Sequence, residues 1–198
     1  MTSTLSEKKK EKYDAILDAA LKIFAEYGYF GSQVSKIARE AGVADGTIYL
    51  YFKSKEEILI SVFRERLGAL VSRFHEHIQD DDPADTAIRK ICELHFTSLE
   101  RNLDLAKVTQ LELRQSSLDL HREIGAALRP YIQLIEDILV RGIQQGIFRA
   151  DLDIKLTRLL LFGAMDEVVT SWLVSGQRYS LSAQIDNTVD FFLRGLRR

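Results

Sequence analysis

Apolar residues recur every three or four positions along almost the whole chain, and only two prolines, Pro83 and Pro130, stand in the way of helices. Proline removes a backbone donor and clashes with the turn before it, so long proline-free stretches with this period favour helix. The regular alternation that marks half-buried strands is missing. From about residue 8 to Tyr27, Ile16, Ala20, Ile23 and Tyr27 share one stripe, with Leu17, Leu21 and Phe24 beside it; Gly28 then ends the helix as a left-handed cap. Ser54, with Glu57 three residues on, has the spacing of a capping box. It opens a long helix along Ile58, Val62, Leu67, Leu70, Val71 and Phe74 to about residue 79, where Asp80-Asp81-Asp82-Pro83 breaks it. Further helices are expected near 84–101, 103–117, 120–146, 153–176 and 181–197, broken at Asn102, Ser116-Ser117, Gly146 and Gly176-Gln177. Residues 1–6, short, polar and uncapped, read as disordered. The expected fold class is all-α: a three-helix N-terminal helix-turn-helix head over 8–68 and a larger C-terminal helical body for ligand binding and dimerisation over 69–198.

Composition removes several alternatives. The single cysteine, Cys92, cannot form an internal disulfide, which suits a reducing cytoplasm; it falls among Ile88, Ile91 and Leu94 at helical spacing and reads as buried filler. No run of about 18 apolar residues offers a membrane span, and the lysine-rich start has no apolar stretch behind it to make a signal peptide. The formal net charge of −2 conceals a split: residues 1–55 hold nine Lys/Arg against seven Asp/Glu, and the remainder is acidic. Four histidines, His75, His77, His95 and His121, are scattered; two positions apart on a helix, His75 and His77 diverge and share no metal. No nucleophile elbow or glycine-rich phosphate loop appears. Neither catalysis nor a resident cofactor or metal is expected.

The chemistry concentrates in residues 32–59, SQVSKIAREAGVADGTIYLYFKSKEEIL. A short helix is expected over about 33–40 with Ser32 as its N-cap, a tight turn at Ala41-Gly42-Val43, and a third helix over about 45–51. Val34, Ile37, Ala38 and Val43 make a small apolar hinge between two steeply crossed helices, and Gly42 permits the positive φ such a turn needs. The third helix turns Ile48 and Phe52 inward and presents Gly46, Thr47, Tyr49, Leu50 and Tyr51 outward. Uncharged hydroxyls are common phosphate partners on a duplex, and Gly46 allows close approach. Lys53 and Lys55 add positive charge at the start of the next helix. The earlier run Lys8-Lys9-Lys10-Glu11-Lys12 reads equally well as a solvated helical turn or a DNA-backbone contact.

The string IAREAGVADGTIYLYFKSKEEIL, preceded by Phe24-Ala25-Glu26-Tyr27-Gly28-Tyr29, resembles the DNA-binding signature of the TetR family of bacterial repressors over roughly residues 10–60. That resemblance places a helix-turn-helix at about 33–52. It implies phosphate contacts from Thr47, Tyr49, Tyr51 and Lys55. Ala44, Asp45, Gly46 and Tyr49 would lie nearest the base edges, and Ser32, Gln33 and Lys36 would approach the backbone, with Gln33 within reach of a base. Many members carry serine where Ala44 stands and a basic or polar residue where Asp45 stands; here Asp45 either caps the third helix or accepts from a cytosine amine.

The resemblance also implies a homodimer through the last two helices. Leu156, Leu159, Leu160, Phe162, Val168, Val169 and Trp172 on one, and Leu181, Ile185, Val189, Phe192, Leu193 and Leu196 on the other, exceed what one small body needs, while Gly163 and Ala164 allow close packing. In the body, Asp166 and Glu167 interrupt an apolar stretch, and Arg114 is a candidate partner. VTQLELRQS and FGAMDEVVTSW resemble the members that repress fatty-acid degradation genes in Gram-positive bacteria, which implies release of operator DNA by long-chain acyl-CoA. Leu105, Val108, Leu111, Phe162, Met165 and Trp172 would then line the acyl tunnel, and Arg101, Lys107 and Arg114 would meet the CoA phosphates. A repressor of the same family answering a different hydrophobic ligand or drug is the other reading.

Overall fold

The structure, a computed structural model, describes residues 2–112 and 118–197; for residues 2–6, 111, 112, 118, 119 and 121 only the backbone is described. Nine α-helices are described: α1 (Thr2–Gly31), α2 (Val34–Glu40), α3 (Asp45–Ile48), α4 (Lys55–His77), α5 (Ala84–Arg101), α6 (Leu103–Lys107), α7 (Leu118–Gln144), α8 (Ile154–Val174) and α9 (Ile185–Leu196). A π-helical turn, Val108–Glu112, follows α6, and a 3₁₀ turn, Ser182–Gln184, precedes α9. No strand occurs among the described residues; Phe148 and Arg197 make one isolated bridge. No described helix is long and apolar enough to cross a membrane.

The chain forms two compact units: Met1–Arg66 with Lys107–Ala127, and Leu67–Ala106 with Leu128–Arg198. The units are not consecutive in sequence, because the π-helical turn packs on α1. The division falls inside α4 and inside α7; in α7 it lies just ahead of Pro130, which cannot donate to the turn before it.

In the first unit α1 buries Ile16, Leu17, Ala20, Leu21, Ile23 and Phe24, and α2 packs on both α1 and α3. Helical backbone begins at Thr2, in the stretch that sequence marked as disordered. Tyr27, expected on the buried stripe, is 43% exposed, with the Lys36 ammonium 3.5 Å from its ring centroid. Gly28 interrupts α1 with φ 69° and ψ 164°. The positive φ matches expectation; the extended ψ does not belong to a left-handed helical cap and lies in a region open essentially to glycine. In the second unit α5 is the central element, packed on α8 and α9 and burying Ile88, Ile91, Cys92, His95, Phe96 and Leu99. Asn102 closes α5 and opens α6, its Oδ1 accepting from Leu105 N at 2.9 Å.

Candidate nucleic-acid interface

The break at Gly28 frees carbonyl groups that helix geometry would have satisfied, and two side chains repair it. Ser32 Oγ lies 2.6 Å from Gly28 O and 3.1 Å from Ile23 O, sharing its hydrogen between them. Lys55 Nζ donates to Tyr29 O at 2.7 Å and Ser32 O at 3.0 Å, and sits 4.4 Å from the Tyr29 ring centroid. Burial, then the nearby Glu56 charge, raises the Tyr29 phenol above its ordinary range. Both residues were expected to face a duplex, with Ser32 capping α2. Instead Ser32 is buried at 4% exposure, the α2 N-cap is Gln33, and no side chain caps that helix. The physical reason is priority: a buried carbonyl without a donor is costly, so the nearest hydroxyl and ammonium are drawn inward.

The turn follows the sequence closely. Gly42 has φ 67°, Val43 N donates to Ala38 O, and Ile37 and Ala38 are fully buried in the hinge. α3 is a single turn, continued by bonds from Leu50 N to Thr47 O and from Tyr51 N and Phe52 N to Ile48 O. Ile48 and Phe52 are buried, while Tyr49 and Leu50 are 60% and 78% exposed. The N-cap of α3 is Ala44; Asp45 is the first helical residue, exposed and making no cap bond, so the capping reading of Asp45 is corrected. Gly46 has no positive φ, and a Cβ there would meet nothing within 4 Å. The Ser54 cap forms, with Glu57 N donating to Ser54 Oγ at 3.1 Å. The reciprocal bond comes from Lys53 N, one residue earlier than a capping box predicts, at 2.6 Å to Glu57 Oε2.

Gln33, Asp45, Tyr49 and Lys55 line one surface depression with Lys53 and Ser54; Ser35, exposed on α2, lies there too, though no sequence signal singled it out. Ala44 and Gly46 are exposed beside it, and Thr47 is half-buried. Tyr51 faces a second concavity with Lys9, Lys10 and Tyr13, joining the N-terminal lysine run to α3; Tyr13 stacks on Phe52 at 5.2 Å. Lys36 is the outlier, half-buried and held over Tyr27.

The body residues divide differently. In the second unit Leu105, Met165 and Trp172 are buried, Phe162 is half-buried with its ring 5.5 Å from that of Tyr131, and Arg101 is exposed. In the first unit Val108 is buried and Lys107 half-buried. Trp172 Nε1 donates to Tyr179 O at 2.8 Å. Glu167 is exposed, not an interruption of buried surface, because it falls on the outer side of α8; Asp166 is half-buried. Arg114 and the Leu111 side chain lie outside the described residues. No cluster of three His, Cys, Asp or Glu that could hold a metal occurs among the described residues.

Known proteins resemble this chain over nearly its full length. The family model for bacterial regulatory proteins of the tetR family matches residues 16–62, and that for the C-terminal region of YsiA-like proteins matches 63–195. The fatty acid metabolism regulator protein of Bacillus subtilis (strain 168) is 45% identical over 190 residues, covering 96% of this chain and 98% of that protein. The transcriptional repressor KstR2 of Mycolicibacterium smegmatis is 30% identical over 147 residues, 72% of this chain and 70% of the relative. The crystal structure of FadR from Bacillus subtilis in complex with stearoyl-CoA matches with a TM-score of 0.90 at 45% identity, covering 92% of this chain and 98% of that one. The fatty acid degradation regulator FadR from Bacillus halodurans matches with a TM-score of 0.89 at 43% identity, covering 93% and 100%. A helix-turn-helix head, an all-helical body and near full-length similarity to regulators agree: the chain belongs to the TetR family of bacterial regulatory proteins.

Proposed function

We propose that this chain is a transcriptional repressor that binds palindromic operator DNA as a homodimer, controls fatty-acid degradation genes, and leaves its operator when long-chain acyl-CoA binds. The observation that carries the reading is 45% identity, over nearly the whole length of both chains, to a fatty acid metabolism regulator whose crystal structure holds stearoyl-CoA.

Thr47, Tyr49 and Tyr51 supply hydroxyls to phosphates, Gln33, Ser35 and Lys53 share the depression that Tyr49 lines, and Tyr51 faces the separate concavity of Lys9, Lys10 and Tyr13. Lys55 keeps one N–H for a phosphate after donating two to the Tyr29 and Ser32 carbonyls. Ser32 and Lys36 act through the loop and α1 rather than by touching DNA. Ala44, Asp45, Gly46 and Tyr49 enter the major groove, where an exposed Asp45 carboxylate can accept from a cytosine amine. The second copy docks on α8 and α9, placing two heads on half-sites about 34–36 Å apart. The acyl tail is held in the second unit beside Leu105, Phe162, Met165 and Trp172, with Arg101 toward the CoA phosphates. The effector is a ligand and not a cofactor; the protein performs no catalysis and works where the chromosome is, in the cytoplasm.

Release requires only that acyl-CoA bind one of two body conformations better than the other. A gel shift on the promoters of acyl-CoA-degrading genes tests the reading. Retardation should occur at low salt, stearoyl-CoA should abolish it, and free CoA should not. Retention of DNA with saturating stearoyl-CoA, and release by an unrelated apolar drug, would favour the other ligand class.

A further inference from the structure

The helix-turn-helix presents one side chain to which the interface described above gives no role. Leu50 is 78% exposed, more than any other described large apolar residue of the first unit. It is not on a loose end of chain. Leu50 N donates to Thr47 O at 3.1 Å, and Ile48 and Phe52, two positions to either side, are buried. The Phe52 ring stacks on that of Tyr13 at 5.2 Å. The backbone that carries Leu50 is therefore pinned from inside, while its side chain stands in water.

Its two neighbours serve different hollows. Tyr49 lines the depression that Lys53 and Lys55 share, and Tyr51 lines the concavity of Lys9 and Lys10. Leu50 comes between them in the chain and lines neither. A duplex groove offers the matching order of surfaces: phosphates at both edges and base edges between them. A single exposed leucine needs no explanation on an ordinary surface. Here it sits in the middle of the face that meets DNA, with cation-bearing hollows on both flanks.

Leucine has no donor or acceptor, so it can bond neither a phosphate nor the polar atoms of a base edge. Among the groups that base pairs display in the major groove, the apolar one is the C5-methyl of thymine. Gly46, exposed on the preceding turn with open space where a Cβ would stand, adds no side chain to hold that methyl away. We propose that Leu50 is a specificity-determining residue that reads one thymine in each operator half-site, its isobutyl group packing on the C5-methyl. This rests on the operator-binding reading above and is independent of the effector. The contact carries no charge, so it adds sequence preference without adding to the salt dependence.

The test begins with duplexes selected by the full-length chain from a randomised pool, which supply the operator. Each symmetry-related pair of thymines is then replaced by deoxyuridine, which keeps the base pairing and every groove donor and acceptor and lacks only the methyl. Affinity is read by fluorescence anisotropy at one salt concentration. At one such pair wild type should lose about fourfold per half-site, about fifteenfold for both, the worth of one buried methyl on each side. Leu50→Ala should bind the thymine duplex about as weakly as wild type binds the uridine duplex, and should show no preference at that pair. Leu50→Gln, equally long but polar, should lose the preference too, while Leu50→Met should keep it. Circular dichroism checks that these surface variants fold. Binding by wild type that is indifferent to every methyl, or a methyl preference that survives Leu50→Ala, overturns the proposal; an equal loss on both duplexes in that variant would place the leucine against deoxyribose instead. If no duplex is enriched and none is bound at low salt, the operator-binding reading fails, and the proposal with it.

Discussion

Gly46 sits in a helical turn at a negative φ with open space where a Cβ would stand, so nothing inside the protein requires glycine there. Glycine in a helix costs about 1 kcal/mol relative to alanine, which leaves an outside body as the reason for its presence. Gly46→Ala should leave stability unchanged or raise it by up to about 1 kcal/mol in urea unfolding, while operator affinity by gel shift falls about tenfold or more. Equal affinity would remove Gly46 from the interface. Ser32 and Lys55 make the contrasting case. The family resemblance implies that both approach the DNA backbone, yet their polar atoms close the carbonyls around Gly28. His95 carries a pH signature of its own. Its folded pKa, lowered to about 4 by burial, lies below the ordinary value of about 6.5, so between these limits the unfolded chain takes up a proton that the folded chain refuses. The contribution is full above about pH 6.5 and drains away as pH falls toward 4, by roughly 3 kcal/mol in all. Urea unfolding at about pH 7.5 and about pH 5 should show the loss in wild type and a flatter profile in His95→Phe.

Among the elements, α8 and α9 are incompletely covered in a single chain. Leu156, Leu159, Leu160 and Val174 on α8 are 52–78% exposed, Phe191 on α9 is 72% exposed, and a Cβ at Gly163 would meet nothing within 4 Å. An apolar face of this kind marks an interface. Leu160→Asp with Phe191→Asp should give a monomer in sedimentation, with operator affinity lower by about a hundredfold or more because two half-sites no longer bind as one unit. A dimer of unchanged stability would move the interface elsewhere. The start of α9 shows how an element's end is decided at a distance. The helix expected from residue 181 begins at Ile185, because Leu181 N and Ser182 N turn to the Glu100 carboxylate, at 2.6 Å and 3.4 Å. Burial works against that charge, but hydrogen bonds from Ser182, Ser180 and Leu181 outweigh it and hold the Glu100 carboxyl below its ordinary range. α5, by contrast, spans 84–101 as its apolar period and the flanking Pro83 and Asn102 dictate.

For the whole molecule, operator binding should weaken steeply with salt, the logarithm of affinity falling with a slope of about −0.9 per phosphate neutralised. Lys9→Gln with Lys10→Gln should make that slope shallower by about one to two per protomer if the concavity they share with Tyr51 and Tyr13 holds a phosphate, and leave it unchanged if they are merely solvated. The order of the helices, the Gly42 turn and the inward set Ile37, Ala38, Ile48 and Phe52 were legible from sequence, because periodicity, caps and turn chemistry act over a few residues. So was the family, since its signature is a run of neighbouring residue types. What only the tertiary structure decided was which partner each polar atom takes. Ser32 and Lys55 turn inward, Glu100 reaches across to Leu181, and His95 is buried against Tyr131 and Phe96. Those choices depend on carbonyls, rings and charges brought close from distant parts of the chain, and desolvation assigns them only once the helices have packed.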